Sequence, residues 1–93
     1  MRLSDTDIMA IKKAVGQFDD TARIFLFGSR VDDYKKGGDI DLLVLSDTIG
    51  RMEKRKIKFC MADSLGEQKI DLLVAADLSD PFVRIAKGQG VEL

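Results

Sequence analysis

The chain has 93 residues, 45% of them hydrophobic and 33% charged, with a formal net charge of -1. These values exclude a disordered polypeptide and a chain held to nucleic acid or to an anionic membrane by bulk charge. They leave room for one small core, in which about 60 to 70% of the unfolded surface can be buried. Histidine is absent and Cys60 is the single cysteine, which rules out His-dependent nucleophiles, His-ligated zinc and an internal disulfide. Chemistry must run on carboxylates, lysines, arginines, hydroxyls and bound cations.

The first expected element is a helix over residues 5–18. Ser4 with Asp7 three residues on has the form of a capping box, and Ile8, Ile11, Val15 and Phe18 recur at helical spacing. "ARIFLF" (Ala22 to Phe27) is β-branched and aromatic and ends at Gly28, so it reads as a buried strand. A charged loop follows, and "DIDLLVL" (Asp39 to Leu45) makes the second strand. From Ile49 to Leu65 a basic run, "RMEKRKIK", interleaves with Met52, Ile57, Met61 and Leu65 as an amphipathic helix stopped by Gly66. "KIDLLVA" (Lys69 to Ala75) repeats the second strand's pattern, and Asp80-Pro81 opens a short helix to about Lys87. The expected order is α-β-β-α-β-α, an α/β (α+β) fold with a three-stranded mixed sheet and three main helices. Residues 1–93 form one domain.

Strand parity then places the carboxylates. Side chains alternate across a strand, so Asp39, Asp41, Leu43 and Leu45 share one face, as do Asp71 and Leu73. A helix joins the second and third strands, which makes them parallel neighbours, whereas the loop after the first strand favours an antiparallel pair. Asp39, Asp41 and Asp71 therefore converge, with Gly28 and Ser29 beside them. Three clustered carboxylates repel one another unless a cation neutralises them, and an oxygen-only donor set suits Mg²⁺ or Mn²⁺. Gly28 admits a phosphate closely, Ser29 can donate a hydrogen bond and Arg30 can offer a guanidinium fork. Taken singly, an Asp-x-Asp is often a solvated strand end and a Gly-Ser a turn; the combination is what points to a site. The parity also leaves Leu43, Leu45 and Leu73 on the aspartate face with few residues to cover them, an expected interface. The basic run reads first as a solvated helix face, with a polyanion or partner contact as the alternative.

At "FGSR", "GGDIDLLV" and "KIDLLV" the chain resembles the minimal nucleotidyltransferases (MNT) of the DNA polymerase β-like superfamily. Their signature is Gly-Ser after the first strand, Asp-x-Asp opening the second, and a third Asp on a later strand. The resemblance implies a polymerase β palm-like fold, two Mg²⁺ ions with Mn²⁺ as a substitute, and transfer of a nucleoside monophosphate, AMP from ATP, to a hydroxyl acceptor. Asp39 and Asp41 would bridge the metals, Asp71 would complete the acceptor-side site, and Gly28, Ser29 and Arg30 would hold the triphosphate. Some members continue with Ala-Arg-Gly and carry Ser before the first Asp; Val31, Asp32, Asp33 and Gly38 stand here instead. Small members often act as antitoxins paired with an all-helical HEPN protein, so that partner or a homo-oligomer is expected, and nucleic acid is not. The alternatives are a steric or nucleotide-binding antitoxin without turnover, and the catalytic subunit of a two-component small-molecule nucleotidyltransferase. The lone cysteine and the lack of a bilayer-length or signal-like apolar run suggest a cytoplasmic protein without membrane contact.

Overall fold

The computed structural model describes residues 3–28, 40–66 and 69–93. Helix α1 (Asp5–Gly16) is followed by strands β1 (Arg23–Phe27) and β2 (Ile40–Leu45), helix α2 (Arg51–Leu65), strand β3 (Ile70–Ala75), helix α3 (Pro81–Gln89) and a two-residue strand β4 (Val91–Glu92). The sheet order is β3-β2-β1-β4, with β2 and β3 parallel and β1 antiparallel to both β2 and β4. This is the mixed α+β architecture expected from the sequence, with one strand more.

The helix starts follow local chemistry. Ser4 Oγ accepts from the Asp7 amide at 3.1 Å and the Asp7 carboxylate accepts from the Ser4 amide at 3.3 Å, closing the capping box. Glu53 accepts from the Gly50 amide at 2.9 Å at the head of α2. Asp80 accepts from the Phe82 amide at 2.8 Å, with Pro81 in the first helical position of α3.

The two faces of the sheet bury different amounts. Ile24, Leu26, Ile40, Leu42, Val44, Ile70 and Leu72 form the larger core with Ile11 and Val15 of α1 and Ile57, Met61 and Leu65 of α2. On the opposite face Phe25 and Leu43 meet Val83 and Ala86 of α3, flanked by Phe27, Leu45, Leu73 and Ala75. This corrects the expectation of an uncovered leucine patch. Leu43 has no exposed surface, and Leu45 and Leu73 are half-buried. The reason is that α3 folds back across the sheet and sets Val83 and Ala86, three residues apart on one helical side, against Leu43 and Phe25.

The fourth strand was not anticipated because two residues carry no readable alternation. Its pairing with β1 depends on Gly90, where a Cβ would lie 3.0 Å from the Leu26 carbonyl oxygen and 2.9 Å from that of Ala86. Val91 and Glu92 then take register against Leu26 and Phe25, and Arg23 meets Glu92 in a two-pronged ion pair at 2.9 and 3.0 Å. The mutual effect holds the Glu92 carboxyl below its usual range and lifts the Arg23 guanidinium above its own, chiefly through these hydrogen bonds.

Candidate active site

Strand β1 delivers the chain to Gly28, whose backbone lies at φ +77°, a region that disfavours any residue with a Cβ. A Cβ there would also run into the Asp41 carboxylate. The glycine and the aspartate thus require each other: the bare backbone leaves the space in which the Asp41 side chain stands. Asp41 is the Cα partner of Phe27 across the antiparallel pair and of Asp71 across the parallel pair. Adjacent strands lie about 4.8 Å apart, and the matching parity turns Asp41 and Asp71 to the same face as Leu43 and Leu73. Asp41 is half-buried, and Asp71, on the edge strand, is exposed.

Three of the expected site residues, Gly28, Asp41 and Asp71, are thereby brought to one end of the sheet. Ser29, Arg30 and Asp39 lie outside the described residues, as do Asp32, Asp33 and Gly38. Among the described residues no group of three or more His, Cys, Asp or Glu side chains is arranged to hold a metal ion. The pair that is described fits a hard cation: two carboxylates in direct register, oxygen donors only, beside a backbone stripped of its side chain. Like charges directly opposite are unfavourable in a sheet.

The other end of β2 carries a second polar cluster that the sequence did not announce. Ser46, buried just after β2, donates to Asp19 at 2.5 Å and accepts from the amides of Thr48 and Ile49 at 3.2 Å. The Thr21 amide and hydroxyl donate to the other Asp19 oxygen at 3.0 and 2.7 Å. These bonds, Ser46 first, lower the Asp19 pKa to about 2. Only the polar strings "FDDT" and "LSDT" mark this cluster in the sequence. Also missed was α3 as the cover of the aspartate face; its signal was Val83 and Ala86 behind the Asp80-Pro81 start.

The family model for the nucleotidyltransferase domain matches residues 8–91. That span runs from α1 through all the strands that carry the aspartates, and the chain belongs to this family. Its activity is therefore nucleotidyl transfer, with a nucleoside triphosphate as substrate, and family members commonly use divalent metal ions. No curated protein matches the chain at a significant level. Among the described residues no helix is long and apolar enough to cross a membrane.

Proposed function

We propose that residues 1–93 act as a single minimal nucleotidyltransferase domain that moves AMP from ATP to a hydroxyl, as the antitoxin of a HEPN/MNT pair working in the cytoplasm. The observation that carries the catalytic part is the direct register of Asp41 with Asp71 beside Gly28 at positive φ. Asp39 and Asp41 would hold two Mg²⁺ ions, with Asp71 completing the acceptor-side set. When bound, such ions supply charge neutralisation for the triphosphate and the attacking oxygen.

The chain's own residues have separate tasks. Gly28 lets the phosphates approach the backbone, the Ser29 hydroxyl donates to a phosphate oxygen, and Arg30 offers a planar fork to another. Asp71, exposed and next to Asp41, takes the proton of the acceptor hydroxyl. The acceptor oxygen then bonds to the α-phosphorus, the bond from that phosphorus to the bridging oxygen breaks, and pyrophosphate leaves. Positioning and charge neutralisation provide most of the acceleration in such transfers.

The partner reading rests on the resemblance. Calorimetric titration with ATP, with and without Mg²⁺, tests the site. Wild type should bind more tightly with the metal, and Asp41→Asn should lose that gain while its melting temperature changes by only a few degrees. Equal, metal-independent affinity in both proteins would overturn the proposal. Label transfer from α-labelled ATP to a co-expressed helical partner tests the antitoxin assignment.

A further inference from the structure

The basic run of α2 remains unexplained by catalysis, because α2 packs on the sheet face opposite Asp41 and Asp71. Ile57, Met61 and Leu65 face the core, while Met52 and Phe59 stand outward at 68% and 79% exposure. These two are seven residues apart, which puts them on one side of the helix about 10 Å from each other. Arg55 and Lys56 lie between them and line, with Met52, a shallow hollow of about 220 Å³. Read as a heptad, Met52 and Phe59 occupy equivalent seam positions, Arg55 and Ala62 the intervening ones, and Arg51 and Lys58 one flank, with Lys56 and Asp63 on the other.

The charge is one-sided. Five cations against Glu53 and Asp63 leave α2 at a net +3, and since the whole chain carries -1 the other residues together carry -4. Among the described residues the ion pair is that of Arg23 with Glu92, and Arg51, Arg55, Lys56 and Lys58 have no such partner. Met52 and Phe59 thus form an outward apolar ridge flanked mainly by cations, with Asp63 the one acid at a flank position.

We infer that the outer face of α2 receives an acidic amphipathic helix. Its apolar residues would meet Met52 and Phe59, and its carboxylates would meet Arg51, Arg55, Lys56 and Lys58. A lipid surface fits less well, because the larger apolar stripe of α2 is turned toward the sheet. A nucleic-acid strand also fits less well: the face offers one aromatic ring for stacking, and the residues outside α2 carry a net -4. The seam spans about three helical turns, so the contact is a small, transient one. It goes beyond the antitoxin reading, needing neither catalysis nor a toxin.

The test uses the whole chain without nucleotide. Probes are a peptide of about three heptads with leucine on the seam and glutamate on the flanks, its Glu-to-Gln counterpart, a single-stranded oligouridylate, and phosphatidylserine vesicles. The acidic peptide should bind at low salt and shift the amide resonances of Met52, Arg55, Lys56 and Phe59. The neutral peptide should bind at least about tenfold more weakly, as should Phe59→Ala and the double variant Arg55→Glu with Lys56→Glu. Binding should also fall as salt rises. Both variants alter exposed groups, so circular dichroism melts should match the wild type. Failure of the acidic peptide to bind, resonance shifts outside α2, or tighter binding of oligouridylate or vesicles would each overturn the inference. None of these readouts depends on ATP, so a failed catalytic site leaves the test intact.

Discussion

Carboxylates stand at both ends of β2, yet in different company. At the trailing end both Asp19 oxygens accept from hydroxyls or amides: Ser46 on one, Thr21 on the other. The protein itself satisfies that anion, which ties the loop after α1 to the loop before α2. At the leading end Asp41 stands in register with a second carboxylate, Asp71, and abuts the bare backbone of Gly28. Hydroxyl donors around a carboxylate make a fold element; a carboxylate in register with another is what the proposed cation site rests on. The difference lies in the neighbours rather than in the acid.

Between the two ends sits Leu43, and its loss should remove both. It is fully buried against α3, so Leu43→Lys strands a charge in the smaller core and should cost more than about 3 kcal/mol. Much of a small domain's stability would be lost, and thermal unfolding should show a weak or absent cooperative transition. A lysine variant that melts like the wild type would mean that α3 does not hold this face closed.

Asp41→Asn should separate the ends instead. It keeps the shape of the side chain, so the melting temperature should change by only a few degrees, while nucleotidyl transfer should fall by about 100-fold or more, equivalent to about 2.7 kcal/mol in the barrier. Label transfer from α-labelled ATP to the co-expressed helical partner, beside a melt, measures both. Activity at wild-type level would reduce the leading end to a solvated strand start.

Gly28→Ala comes next in size. The positive φ and the close Asp41 carboxylate should together cost roughly 1–2 kcal/mol of stability. The displaced carboxylate should also weaken metal-dependent ATP binding, so urea unfolding and calorimetry should both move. Stability loss alone would leave the glycine a turn residue.

The smallest effect belongs to the trailing end. Folding lowers the Asp19 pKa from 3.8 to about 2, so the fold favours the anion. That contribution is fully present above the unfolded value and is lost as pH falls through the folded one. Melting temperature should therefore drop between about pH 5 and pH 2. Asp19→Asn should melt slightly lower at neutral pH and show a shallower acid dependence, with Glu92 and Asp77, also lowered, supplying the remaining slope. An unchanged slope would assign the acid sensitivity elsewhere.

Much of the leading end was legible because its geometry is local. Alternation along β2 and β3 forces Asp41 and Asp71 onto one face once the helix between them makes the strands parallel, and the observed register pairs them directly. Both hydrophobic faces, the capping box at Ser4 and the start of α3 at Asp80 follow from spacing of the same short range. What only the tertiary structure decided are the contacts between segments far apart in sequence. The Arg23–Glu92 pair bridges 69 positions and the Ser46–Asp19 bond 27, and neither leaves a periodic trace. The covering of Leu43 belongs with them: Val83 and Ala86 mark an apolar helical side, but which sheet face receives it depends on how the chain turns after β3. Periodicity specifies which way a side chain points within its own element, and the partner it meets is set by packing among all the elements together.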